Sequence, residues 1–507
     1  MVGVTGFEPA ASSSRTKRAT KLRHTPVLVG RPKTAGTEGT RYRSSRANSQ
    51  SLADRLTEAS AAPTTTDPKD PAAFPGPLST THALASVQRV TEPALVVRNA
   101  TLRGRPGTWT IVLDQDAIRA VERQQATTPV PTHGVPTEAP TEIDAEGNLV
   151  TIPFVDAHLH LCKVHTLDAA GDNPLAAYTS GTMGGALTAI EGAATVKRGQ
   201  TADDVYARAR QTLLASVANG VRVVQAFADV DPVAGLTGVE GLLRAREEFR
   251  GRVDVQVVAF PQDGLLKAPG TEELVIEAIR RGADVVGGIP WIEHTDADAK
   301  AHVDAMVGLA QRTNRRVAML VDDAGDPSLR TTEMLAAALL GRGMVGRGSA
   351  QHARAMATYP EPTVRRLAGL ARAAGLGFVT DPHTGPLHLR VTDLLAAGVP
   401  VALGQDDIED AYYPFGRHNL LEVAFVAAHV LGYLADPQLE TLLDMVTTQG
   451  YRVLGMPPRA IEPAAPADLL VLDGRTAREV LTRHSAPLTV VTGGRVVAST
   501  RTVTELF

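Results

Sequence analysis

Between Val150 and Gly404 the chain alternates short, unbroken apolar runs with longer stretches in which apolar residues recur every three or four positions. The runs are Val150–Asp156, Val221–Ala228, Val253–Phe260, Asp284–Ile289, Arg316–Val321, Gly346–Ala350, Leu376–Thr380 and Val399–Gly404. Each has the length of a strand and the continuous apolar character that a strand buried on both faces requires. The stretches between them read as helices. In residues 202–219, Val205, Ala209, Leu213 and Val217 stand four apart on one helix face, and Gly220 supplies a stop. Eight such strand–helix repeats predict an α/β chain with a (β/α)8 TIM-like barrel over residues 149–459. The active site of such a barrel lies at the C-terminal ends of its strands.

Shorter alternating stretches flank the barrel. Leu95–Arg98 and Trp109–Leu113 before it, and Asp468–Leu472 and Leu488–Val491 after it, read as strands. Residues 85–148 and 460–507 are therefore expected to pair as a small β-sandwich domain built from both chain ends. Residues 1–84 carry almost no aliphatic periodicity and cannot bury enough apolar surface to offset ordering, so they are expected to be disordered. Their opening, from Thr5-Gly6-Phe7-Glu8-Pro9 to His24-Thr25-Pro26, resembles a spurious peptide read from a transfer-RNA gene in the wrong sense. A misassigned start codon is the leading expectation, with a transit peptide or a nucleic-acid-binding tail as the other readings. Deleting residues 1–84 is expected to leave the melting temperature unchanged within error. A loss of several degrees would contradict the assignment.

Charge narrows the class of partner. The chain of 507 residues holds 51 basic and 55 acidic side chains, but ten of the basic ones and only two acidic ones lie in residues 1–50. The remainder is left with 41 against 53, a net of −12. Such a surface is unsuited to nucleic acid or an anionic membrane, which need clustered Lys and Arg, so a small-molecule ligand is expected. The single cysteine, Cys162, excludes an intrachain disulfide and fits a reducing, cytoplasmic setting. No apolar run approaches the ~20 residues that span a bilayer. Whether the chain works as a monomer or a homo-oligomer stays open.

The polar residues at the strand ends carry the chemistry. Asp156-Ala157-His158-Leu159-His160 closes the first run, and residues two apart on an extended chain point to the same side. Both imidazoles can therefore face the barrel mouth and share one cation. The eighth run closes with Gly404-Gln405-Asp406-Asp407. A carboxylate from there completes a mixed nitrogen and oxygen set suited to one divalent ion, Zn or Fe. The sixth run ends in Ala350-Gln351-His352, and the third in Phe260-Pro261-Gln262-Asp263-Gly264. Gln262 offers a donor and an acceptor to an amide-like substrate, or is a plain turn residue. Trp291 can stack on a flat ring or merely pack the barrel end. His165, His383 and His388 read as loop or pocket residues, and Gly181–Gly185 as a flexible loop over the mouth.

Taken in order, Pro153-Phe154-Val155-Asp156-Ala157-His158-Leu159-His160, Ala259–Gly264, Gly282–Pro290 and Gly404–Asp407 followed by Tyr413-Pro414-Phe415-Gly416 resemble the metal-dependent amidohydrolase superfamily. The likeness is greatest to its cytosine deaminase-like branch and runs from about Val96 to Ser499. It implies metal binding by His158, His160 and Asp406, a strand-six histidine at His352 and a substrate-amide glutamine at Gln262. It also shows departures. Val321 stands where the family has a strand-five metal-binding histidine, and Ala324 where it has a proton-shuttling glutamate. Gln405 replaces a histidine, and Cys162 replaces an aspartate.

Three protein ligands with an open position still make a catalytic metal site, and His352 is available for a closer contact. For the missing acid, alternation along strand five favours Asp323, which faces the barrel if Val321 does, over Asp322. The alternative for Asp323 is to cap the helix beginning near Ser328. The expected function is a metal-dependent hydrolase of non-peptide carbon–nitrogen bonds, a deaminase or cyclic amidohydrolase of a small nitrogen heterocycle such as a pyrimidine. Its catalytic groups would be Asp406, Asp323 and His352, with Gln262 and Trp291 on the substrate. The alternative is a binding protein that keeps the barrel and has lost the chemistry.

Overall fold

The computed structural model describes residues 95–124 and 142–506. The expectations for residues 1–84 lie outside that range. Eight parallel strands follow one another as neighbours: β1 (Phe154–Leu159), β2 (Val221–Asp229), β3 (Asp254–Phe260), β4 (Val285–Gly288), β5 (Arg316–Val321), β6 (Gly348–His352), β7 (Gly377–Thr380) and β8 (Val401–Leu403). Helices follow the strands, and the apolar core runs between helices and strands as the periodicity implies. Residues 202–218 form a helix whose Thr201 cap accepts from Asp204 N while Asp204 accepts from Thr201 N at 2.8 Å. This reciprocal cap satisfies two backbone donors that a helix start would otherwise leave unpaired.

The two ends of the strand series meet at β1 and β8. His160 N donates to Asp406 O and Asp406 N to His158 O, both at 2.8 Å, and Leu159 bridges Asp406 in parallel register. Gly404 is required at this seam, because a Cβ there would lie 2.8 Å from the His158 Cβ. Closure thus brings the two histidines against Asp406.

A second, mixed sheet of eight strands joins both ends of the described chain. Leu95–Leu102 and Arg105–Leu113 lie beside each other in it, and Leu469–Val471, Thr489–Thr492 and Arg495–Ser499 extend it from the C-terminal side. One boundary differs from the sequence reading. The run Val150–Asp156 is divided: Leu149–Thr151 pairs in the mixed sheet with Leu95–Leu102 and Leu469–Val471, whereas β1 begins at Phe154. Pro153, which has no N–H to give a ladder, separates the two. Hydrophobicity alone cannot show which sheet a buried strand joins.

The glycine-rich segment also differs. It is the start of a helix: α1 (Asp172–Tyr178) leads into α2 (Met183–Lys197), whose Thr182 cap accepts from Gly185 N at 3.1 Å. A Cβ on Gly185 would lie 2.3 Å from Ala177 O, so close packing of α1 on α2 accounts for the glycine. Among the described residues, no helix is long and apolar enough to cross a membrane.

Candidate active site

His158 and His160 project from the end of β1, as their spacing predicts, and both are buried. Asp406 follows β8 and His352 ends β6, each with a left-handed backbone (φ 62° and 65°) that is uncommon for residues with side chains. Non-glycine residues held there concentrate at functional sites, because the surrounding structure must impose the conformation. The ligand atoms of His158, His160, His352 and Asp406 all lie within 4.8 Å of one another. Asp406 Oδ1 is 3.1 Å from His158 Nε2 and 3.8 Å from Nε2 of both His160 and His352.

These residues suit a divalent ion. The short His158 contact is not aligned as a hydrogen bond, and both ring nitrogens of His158 and Nδ1 of His160 are buried without partners among the described residues. Buried polar groups are rarely left so, and three imidazoles with a carboxylate are a common set for a borderline cation. Burial lowers the proton affinity of all three histidines, most strongly His160, which favours the neutral form that can ligate. Phe227 lies against His158, with ring centres 4.1 Å apart, and Phe260 5.4 Å from the His160 ring; both add to this desolvation. Burial works against ionising Asp406, yet the surrounding groups, His352 foremost, hold it well below the usual carboxylate range.

Behind the ligands lies a support that sequence reading does not reveal. Asp156 Oδ1 accepts from His158 N at 3.1 Å and Gln405 N at 3.0 Å, and its Oδ2 is 2.8 Å from His418 Nε2. It fastens the β1/β8 seam from below. Asp381, after β7, lies 2.7 Å from His352 Nδ1 and so orients that ring with Nε2 toward the cluster.

A cavity opens above the cluster, lined in part by His160, Gln262, Trp291, Asp323, His352 and Asp406. The sequence candidates thus converge on one place. His165 does not line it; it pairs with Glu409 at 2.7 Å instead. His383, half-buried beside the site, lies with Nε2 3.0 Å from Gln405 O.

The two acids after β5 divide as expected, but not by alternation: Val321 packs on the helix side while Leu320 lines the cavity, and Asp322, at φ 47°, turns the chain beyond the strand end. Asp322 turns away to cap α4 (Thr331–Gly341), accepting from Thr331 N at 2.6 Å and Thr332 N at 3.2 Å and from both threonine hydroxyls. The helix-capping role weighed for Asp323 belongs to its neighbour. Asp323 lies in the cavity wall, where burial pushes its carboxyl up against the pull of Arg354. Asp322→Asn is expected to lower stability by about 1–3 kcal/mol through the lost caps, with kcat changed only mildly. Chemical denaturation and steady-state kinetics on the same variant check both halves.

Two buried basic side chains at the site escaped the sequence reading. Arg354, two residues beyond His352, is buried and donates to Asp323, to Asp381 Oδ2 at 2.6 Å and to Asp406 Oδ2 at 3.4 Å. It thus compensates three acids that could not otherwise be ionised together. Lys163, three residues beyond His160, lies in the cavity wall beside Gln262. The available signal was only a basic residue close after each motif; Ala353, at φ 45°, breaks the alternation that would have placed Arg354.

An eight-stranded parallel barrel with clustered imidazoles and a carboxylate at the strand ends defines the class of barrel hydrolases that work with a bound metal. The sequence matches the amidohydrolase family over residues 141–498, and the chain belongs to that family. It is a metal-dependent hydrolase of non-peptide carbon–nitrogen bonds. It is similar to the N-isopropylammelide isopropyl amidohydrolase of Pseudomonas sp. (strain ADP), with 28% identity over 404 residues, 80% of this chain and 96% of that protein. A pterin deaminase of Rhizobium rhizogenes is 28% identical over 378 residues, 71% of this chain and 83% of that protein. Among solved structures, 5-methylcytosine deaminase from Klebsiella pneumoniae liganded with phosphonocytosine superposes with a TM-score of 0.74 at 31% identity, covering 81% of this chain and 100% of that one.

Proposed function

We propose that the protein removes an amino group from, or opens an amide bond in, a small flat nitrogen heterocycle such as a pyrimidine, using one zinc or iron ion held by His158, His160, His352 and Asp406. The observation that carries this reading is the convergence of that cluster, Gln262, Trp291 and Asp323 on the lining of one cavity. The similarity to proteins named for pterin, cytosine and ammelide chemistry supports the substrate class.

When bound, the ion lowers the pKa of water and polarises the bond under attack. Asp406 holds the attacking water and takes its proton. Asp323, replacing the acid absent at Ala324, relays that proton to the departing nitrogen. Arg354 fixes the Asp323 carboxyl in the cavity wall. Trp291 and Gln262 hold the ring, one by its face and the other by an edge.

The test is a screen of pyrimidines, triazines, pterins and cyclic ureides on zinc- and iron-loaded protein, reading ammonia or amine release. Turnover of at least one ring, by protein carrying near one equivalent of metal, is expected. Full loading with no turnover of any ring would overturn the proposal and leave a barrel that only binds.

A further inference from the structure

The contact between Lys163 and Gln262 determines which atoms of a bound ring the protein can read. Lys163 Nζ lies 2.5 Å from Gln262 Oε1, and both side chains line the cavity. An ammonium group has three donors and no acceptor, so only the amide oxygen can face it. Turning the amide over would set NH₂ against NH₃⁺ in a buried place where such repulsion is poorly screened. Lys163 itself is held: Asp229 Oδ1 is 3.5 Å away, and the ammonium lies 5.0 Å from the centre of the Tyr412 ring. Asp229 in turn is 3.8 Å from Lys197, at the end of α2, which also binds Asp231 at 2.8 Å and Asp263 at 2.9 Å. The lysine is thus anchored by the floor of the barrel mouth.

With its oxygen taken, Gln262 has only its NH₂ left for the cavity, and this group makes no hydrogen bond among the described residues. Trp291, on the same cavity lining, has an indole N–H that is buried and likewise without a partner among them. The acids Asp323, Asp406 and Asp407 also line the cavity. The lining therefore offers hydrogen-bond donors at Gln262 and Trp291 and carboxylates at the metal cluster.

Resting on the heterocycle hydrolase reading above, we propose that Lys163 is a positioning residue that fixes Gln262 as a donor. The substrate then presents an oxo group to Gln262 and the scissile C–N bond to the metal cluster. A ring with N–H or NH₂ at that place meets donor against donor and is rejected, because the buried groups on both sides stay unpaired.

The probes are barbituric acid, whose edges carry oxo groups, and 2,4,6-triaminopyrimidine, whose edges carry amino groups. Binding of each to zinc-loaded full-length protein is measured by calorimetry, which needs no turnover. The wild type is expected to prefer barbituric acid by at least ~30-fold, since unpaired buried polar groups are rejected by large factors. Lys163→Met should reduce that ratio at least tenfold at unchanged zinc content, and Lys163→Arg should retain it. If Lys163→Met does not fold, Gln262→Glu serves instead: it keeps a partner for Lys163 but has no donor, and should reverse the preference. Equal or inverted preference in the wild type, an unchanged ratio in Lys163→Met or Gln262→Glu, or no binding of either ring overturns the proposal. The expected preference without turnover of any screened ring would sink the proposed activity and leave this assignment standing. Turnover with the amino ring preferred would do the reverse.

Discussion

His158→Ala is expected to abolish tight metal binding. The variant removes one of four donors gathered within 4.8 Å, and it is the one closest to Asp406, at 3.1 Å. Among the described residues both ring nitrogens of His158 are buried without hydrogen-bond partners, so the imidazole makes no hydrogen bond there whose loss could explain the effect otherwise. The remaining donors must then compete with water at a site whose cost of assembly is unchanged. Support residues alone are worth 10–100-fold in metal affinity, so a direct ligand should exceed about a hundredfold. Elemental analysis of purified variant should read far below one equivalent, and a competing chelator should strip what remains. Full occupancy in the variant would place the ion elsewhere.

Asp323→Asn should lower kcat at least ~100-fold while metal content persists, since general acid–base assistance is typically worth 10²–10⁴. The amide is nearly isosteric with the carboxylate but takes up no proton. Asp323 lies in the cavity wall and its carboxyl is pushed up by burial, which brings a carboxyl closer to the range where it can exchange protons near neutrality. Asp322, one residue away, is engaged by the start of α4 and should show its effect in stability instead. Equal and mild kinetic effects from Asp322→Asn and Asp323→Asn would remove Asp323 from the mechanism.

The contrast between these two aspartates shows how far one-dimensional reasoning reaches. Alternation along β5 does not place them: the strand ends at Val321, which packs on the helix side while Leu320 lines the cavity, and Asp322, at φ 47°, turns the chain so that Asp323 reaches the cavity instead. The strand period of two does place His158 and His160 on one side of β1. It fails again one step past β6, where Ala353 adopts φ 45° and turns the chain, so that Arg354 enters the cluster of acids unannounced. Lys163 was missed for a similar reason: it follows the end of β1 in a loop, where no period applies.

By itself the sequence determined the barrel, the helix and strand order, and the candidate donors His158, His160 and Asp406, because buried parallel strands and amphipathic helices leave periodic marks and strand ends are defined places in this fold. Only the tertiary structure decided that His352 joins those donors, that Asp156 fastens the seam beneath them, and that Arg354 and Lys163 supply the buried positive charge. Each of these depends on distances between residues far apart in the chain, such as the 2.8 Å between Asp156 and His418, and on a balance of buried charge. Those distances are set by barrel closure and by desolvation, and neither leaves a periodic signal along the chain.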